Sequence, residues 1–442
     1  MALTDTTNVA AVASPAGAET AALKAKPTGS TAPNPEKLGI ALDAVAGFDA
    51  AARDDATAKL EAAASKDAAG LCIALLGVAS DAGCASARRL AAATFTRNCL
   101  RKQWGARDET TTHEPARVTP EARADVRGAS LRALVAAPPD TRRLLADCLR
   151  LAATDAVGWS ASGTTDAPSD GATVALAAPG TDGRDRLASA AALVEDVIAV
   201  SAAMTSFCSF EENTFEENAS HGLLLAAHVA SMPFQYFRDP TVAFEAAHPA
   251  AERLSASLVA PRLVPALTRA AAADFTNDRD AAQFARVAFK IIHRLVRAHM
   301  PAAIAPALPA VVGAIEAACA ARAAEASRET ELSSASSSAA DVSWVAAKRA
   351  LRLGAALVTR HADALDAASI ASLARSGLAI AALRPGLAPT PSAAAAFALL
   401  RATLERAATR DALLFANVFE NEQFEERTNN SSGLPSTTSE KA

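Results

Sequence analysis

From residue 36 to about residue 415 apolar side chains recur three and four apart, and almost nowhere do they alternate with polar ones as a strand requires. The first run, Leu38, Leu42, Val45 and Phe48, lines one face of a helix. Further helices are predicted over residues 50–65, 69–79, 85–104, 120–136 and 141–153. The pattern resumes over 187–204, 223–231, 243–258, 261–272, 281–299, 306–326, 344–361, 367–382 and 391–415. Breaks such as Ser80-Asp81-Ala82-Gly83 and Pro138-Pro139-Asp140 are short and polar, which suits antiparallel helix pairs. A long series of helix pairs without a strand signal predicts an all-α fold, a solenoid in which each pair buries a face on the next. The alternative is one large irregular bundle.

Composition says what kind of packing this is. The 442 residues are 51% hydrophobic with mean hydropathy +0.14, yet much of that fraction is Ala, with only 15 Phe, 3 Trp and 1 Tyr. Ala is the best helix former but buries little area, so the helices are expected to pack closely on small residues. A net charge of −5 and a pI near 5.9 argue against nucleic acid as a direct partner.

Residues 1–35 lack periodic apolar anchors and are expected to form a disordered arm, because folding them would not offset their ordering entropy. A Gly/Ser/Thr/Asp stretch at 160–186 reads as a flexible insertion and divides one block of repeats at 36–159 from a second at 187–419. Within the second block, 327–341 reads as a polar linker, and 420–442 as a disordered polar tail. Residues 300–321 are apolar but for Glu316 and hold Pro301, Pro306 and Pro309. They are expected to be a buried helix with a proline-rich entry, with no membrane insertion anywhere. The beginning of the chain carries neither a basic segment followed by an apolar one nor the Arg-rich character of an organelle leader. Six cysteines, Cys72, Cys84, Cys99, Cys148, Cys208 and Cys319, are scattered without a CxxC pair, which favours a reducing compartment, cytosol or nucleus, and a packing role.

No catalytic motif is present: there is no P-loop, no HExxH and no GxSxG, so no catalytic residue and no cofactor is expected. His293 and His299 are spaced too widely to share a helix face as i,i+4 ligands, and no metal site is expected. A doubled Phe-Glu-Glu-Asn, at 210–213 and 215–218, with an echo at Phe424-Glu425-Glu426, reads as an inter-helix loop. Its acidic groups would also suit the docking of basic cargo. The strongest local feature is a basic cluster, Arg88, Arg89, Arg97, Arg101 and Lys102, with Asn98 among them. Arg97 and Arg101 lie four apart and project to one face, as do Asn98 and Lys102. Such a cluster either complements a helix C-terminus or meets an acidic or phosphate-bearing partner through directional hydrogen bonds.

The helix at 85–104, with Arg89, a run of small residues, Arg97-Asn98 and a closing Trp104, resembles the second helix of the N-terminal domain of importin-β-type nuclear transport receptors, the karyopherins. Thr96 stands where the family usually has an apolar residue. The next repeat resembles the same family in Leu131, Leu134, Val135, Pro138, Arg142, Leu145, Cys148, Leu149, Asp155 and Trp159, with Ala156-Val157-Gly158 in place of a usual Pro. Phe289-Lys290-Ile291-Ile292, Leu295, Val296 and Pro301, then Trp344 with Lys348-Arg349, resemble the importin seven/eight branch. The resemblance covers most of residues 34–414.

What the resemblance implies is a right-handed HEAT-repeat α-solenoid that binds the GTPase Ran in its GTP form, contacts Phe-Gly nucleoporins and carries protein cargo between cytoplasm and nucleus through pores of the nuclear envelope. It places the small GTPase against Arg89, Arg97, Asn98, Arg101 and Lys102. A HEAT-repeat scaffold or assembly protein without a transport role is the alternative. The last repeat is expected to present an apolar face that favours self-association.

Overall fold

The computed structural model describes residues 34–104, 118–153, 181–203, 215–235, 242–272, 278–297, 299–329, 338–383 and 387–410. The arm at 1–33, Trp159, most of the 160–186 insertion, Cys208, the first Phe-Glu-Glu-Asn and the tail lie outside them. The helices are α1 (Pro35–Ala46), α2 (Ala50–Lys66), α3 (Ala68–Ser80), α4 (Ser86–Gln103), α5 (Pro120–Ala136), α6 (Arg142–Ala152), α7 (Thr181–Ala202) and α8 (Phe215–Ala230). They continue as α9 (Val242–Leu254), α10 (Val264–Ala272), α11 (Arg279–Val296), α12 (Leu308–Glu329), α13 (Ser338–His361), α14 (Ala367–Ala381) and α15 (Thr390–Arg410). Among the described residues there is no strand.

Local chemistry sets where the helices begin. Asn34, Asp49, Asp67, Asp278 and Asp366 each accept backbone N–H bonds from the first turn that follows them, and Thr119 does the same ahead of Pro120. Each such cap satisfies donors that a helix start leaves without a partner and contributes about 1 kcal/mol. At the end of α1, Gly47 is extended, so Phe48 leaves the helix and is fully exposed. Phe48 was expected on the buried face; the stripe it belongs to by spacing stops two residues earlier. Between α9 and α10 the chain passes through a π-helical stretch, Ser255–Leu263, that contains Pro261. Proline has no N–H for the regular ladder, and the widened turn absorbs that loss.

The helices form two layers. In one, α4, α6, α8, α11, α13 and α15 lie side by side in chain order; in the other, α3, α5, α7, the run of α9 and α10 joined end to end through the π-helical stretch, α12 and α14 do. The layers pack on each other as pairs, α3 on α4, α5 on α6, α7 on α8, α10 on α11, α12 on α13 and α14 on α15. α1 begins the stack against α2 and α4. The core follows the pairs, with Leu71, Leu75, Leu100, Leu134, Leu145, Leu149, Phe284, Phe289, Ile292, Ile315, Leu351 and Leu357 all buried. Buried alanines such as Ala92, Ala93, Ala285, Ala288, Ala318 and Ala350 let the axes approach, which is how an aromatic-poor chain keeps interior packing density. A close approach is made at Gly222 of α8, where a Cβ would stand 2.4 Å from the Leu134 carbonyl oxygen of α5.

Most predicted helices fall within a few residues of the observed ones; the differences lie at the ends. α7 begins at Thr181, inside the stretch expected to be a flexible insertion, and α8 begins at Phe215, so the second Phe-Glu-Glu-Asn lies in a helix rather than a loop. α12 continues to Glu329 and α13 starts at Ser338, which shortens the expected linker. Among the described residues one helical stretch, Ala305–Arg328, is long and apolar enough to cross a membrane by length and composition alone. It holds buried Val311, Ile315 and Cys319, and α12 packs between α10, α13 and α14 as a core helix.

Candidate partner-binding site

The basic cluster on α4 divides between groups that hold the solenoid together and groups that face outward. Arg88 makes a two-pronged ion pair with Asp43 of α1, its Nε lying 2.7 Å from Oδ1. The pair holds the Asp43 carboxyl below the usual carboxylate range. Arg89 turns inward with 12% of its side chain exposed. It donates to the carbonyls of Cys84 and Ala82 and lies 2.7 Å from the Asp140 carboxylate, just ahead of α6. Lys102 reaches Glu61 of α2 at 2.8 Å, with more than half of each side chain exposed.

That leaves Arg97, Asn98 and Arg101. Asn98 and Arg101 are exposed and Arg97 is half-buried. Arg97 and Arg101 share the face turned toward α6, where their charges act on the Cys148 thiol; its burial nevertheless pushes it up to about 12. Lys102 lies on the other side, near Cys99 and α2. Cys72, Cys99, Cys148 and Cys319 are buried, Cys84 is half-buried, and each of the five is a free thiol. Trp104 caps α4 with 3% exposure and has the Arg123 guanidinium 5.3 Å from its ring centroid, which makes it a packing anchor between α4 and α5.

Two clusters came from contacts between repeats that spacing along the chain does not reveal. His248 and Glu252 of α9 lie one turn apart, and the loop before α12 brings His299 to them, with imidazole centroids 4.1 Å apart. Their three donor atoms lie within 4.8 Å of one another, close enough to hold a metal ion. The only advance signal was the i,i+4 spacing of His248 and Glu252. Glu252 also accepts the backbone N–H of Ala302, at 2.9 and 3.0 Å from its two oxygens.

The second cluster is cationic and lies where α11 meets α13. Lys290, Arg294 and Arg297 on one side face Arg349, Arg352 and Arg360 on the other, around a cavity of about 450 Å³. No Asp or Glu lines it among the described residues. Burial and the surrounding guanidiniums push Lys290 down to about 8 and His293 down to about 4. Arg294 is buried and structural: it donates to the His228 carbonyl at 2.9 Å and lies 3.2 Å from Ser231 Oγ, tying α11 to the end of α8. Arg360 donates to the Arg297 carbonyl and joins α13 to the end of α11.

No family model and no curated protein sequence matches the chain. Among solved structures it is similar to the exportin Cse1 in its cargo-free, cytoplasmic state, with a TM-score of 0.55 at 12% sequence identity. The match covers 92% of this chain and 38% of that one, so the chain spans well under half the length of the exportin. The likeness is one of fold: this chain is an all-α helical solenoid.

Proposed function

We propose that the chain is a karyopherin-type nuclear transport receptor that binds Ran in its GTP form and carries protein cargo through pores lined by Phe-Gly nucleoporins, shuttling between cytoplasm and nucleus. The observation that carries this reading is that Arg89 and Arg97-Asn98 lie on, and Trp104 caps, one helix of a solenoid whose fold is similar to an exportin over 92% of this chain. In this reading Arg97, Asn98 and Arg101 meet the GTPase, since they combine exposure with guanidinium and amide donors. Arg89 and Lys102 act as positioning residues through Asp140 and Glu61. The importin seven/eight branch belongs to the same proposal and rests on the residues at 289–301 and 344–349.

Calorimetry of the purified chain with Ran loaded with GTP or GDP tests the reading. Preference for the GTP form, weakened by Arg97→Glu/Arg101→Glu in a protein that still melts cooperatively, is the expected result. Absence of binding at micromolar concentrations by a folded chain would move the function to a HEAT-repeat scaffold.

A further inference from the structure

We infer that the cavity between α11 and α13 is a docking site for a short acidic segment of a protein partner, gripped by Lys290, Arg297, Arg349 and Arg352. The inference stands on this geometry and does not depend on Ran binding.

The side chains are spaced to act together. Lys290 and Arg294 of α11 and Arg297 just past its end recur at four and three residues, and Arg349, Arg352 and Arg360 at three and eight along α13, so both sides turn a cationic row toward the same cavity. Arg294 and Arg360 are committed to carbonyls of the scaffold. Arg349 and Arg352 make no ion pair within the described residues. Assembling cations around a cavity whose lining holds no carboxylate destabilises the free protein. Burial first, and then the neighbouring guanidiniums, lower both Lys290 and Arg349. A ligand carrying several carboxylates relieves that repulsion as it binds, and guanidinium forks suit carboxylate geometry.

The surroundings select a peptide. Ala355 and Ala356 of α13 and Ala398 of α15 give the cavity small apolar walls, and about 450 Å³ is the scale of a site for a few side chains. Among the lining residues only His293 carries a ring, no Phe, Tyr or Trp offers a stacking platform, and the chain's net charge of −5 opposes a long polyanion. A run of adjacent Asp and Glu residues answers all of these conditions: local negative charge, small cross-section and planar carboxylates.

The test uses the full chain and a fluorescent peptide of consecutive Glu and Asp residues, read by anisotropy, beside the same peptide with Gln and Asn, a single-stranded RNA oligonucleotide and inorganic phosphate. The acidic peptide should bind and the neutral one should not, with affinity falling as salt rises. Arg349→Ala/Arg352→Ala should weaken binding about tenfold or more. Arg328→Ala, which removes an exposed Arg of α12 paired with Glu325, should leave it unchanged. Thermal melting of each variant separates lost binding from lost fold, and the single Arg352→Ala, at an exposed position, supplies a second reading if the double variant melts early. No binding of the acidic peptide by a folded chain, or equal loss with Arg328→Ala, overturns the proposal. Tighter binding of the oligonucleotide than of the peptide overturns it in favour of nucleic acid, and binding of phosphate alone reduces the site to one for an adventitious ion only.

Discussion

The guanidinium carbon of Arg322 lies 4.4 Å from the centroid of the Trp344 ring, joining α12 to α13 across the two layers. Arg322 is 1% exposed and Trp344 7%, so the cation is held by an aromatic face in the interior of a repeat rather than at its surface. Such stacking is worth about 2 kcal/mol when desolvated.

Trp344→Ala should therefore cost about 3–5 kcal/mol, the usual penalty for truncating a buried aromatic, because it opens a cavity and strips a buried cation of its ring. Arg322→Met should cost much less, since it removes charge and keeps volume. Urea denaturation of the two variants measures the difference. Equal losses would mean that the stacking contributes nothing specific.

Glycine positions give a test whose sign changes along the chain. At Gly222 a Cβ would meet the Leu134 carbonyl oxygen at 2.4 Å and the Val135 Cα at 2.7 Å, both backbone atoms that cannot swing aside. Gly222→Ala should destabilise by about 1–3 kcal/mol through separation of α8 from α5. Gly77 in α3 and Gly313 in α12 have nothing within 4 Å of such a Cβ. Gly77→Ala and Gly313→Ala should each stabilise by about 0.5–1 kcal/mol, because Ala loses less backbone entropy in a helix. Thermal melts of the three variants are the measurement.

Stability should rise with pH across the histidine range. His293 is held at about 4 against an ordinary 6.5, first by burial and then by Arg297, Arg349, Arg352 and Arg294, and burial beside Arg294 depresses His228 as well. Between about 4 and 6.5 the unfolded chain binds protons that the folded chain refuses, so acidification through that window favours unfolding. Above 6.5 this contribution is flat. Urea midpoints at pH 5 and pH 7 should differ in that direction, and His293→Gln should reduce the difference.

What the sequence disclosed and what it withheld follow from the range of the interactions. Helices such as α5, predicted and observed at 120–136, depend on local spacing and on caps such as Thr119, both of which are printed in neighbouring residues. Pairing into layers also follows once short polar breaks force neighbours to lie antiparallel. Phe48 shows the limit: periodicity placed it inside, whereas the extended Gly47 ended the helix first. The cationic cavity was illegible because Lys290 and Arg349 lie 59 positions apart and meet only when α11 packs on α13. The same holds for His299 beside His248 and Glu252. On α4 the identities were legible, but Asp43, Asp140 and Glu61, which determine which cations remain free to face outward, are supplied by other helices and turns.

That division on α4 yields a prediction in which stability and binding separate. Arg89 spans from the loop before α4 to Asp140 ahead of α6, and the Asp140 carboxylate also accepts from Ser86 at the start of α4. Arg89→Ala would take the cation from a partly buried carboxylate, which keeps Ser86 as a donor, and the guanidinium donor from the carbonyls of Cys84 and Ala82, a loss of about 1–3 kcal/mol. Arg101 is exposed, so Arg101→Glu should change stability by no more than about 0.5 kcal/mol. If the α4 face meets Ran, the order reverses in calorimetry. Arg101→Glu weakens binding by reversing a contact charge, whereas Arg89→Ala weakens it only as far as the turn at 81–85 loosens, and low temperature should restore it. Loss of binding in Arg89→Ala with an unchanged melt would instead make Arg89 a direct contact, and its bonds to Cys84, Ala82 and Asp140 would have to open in the complex.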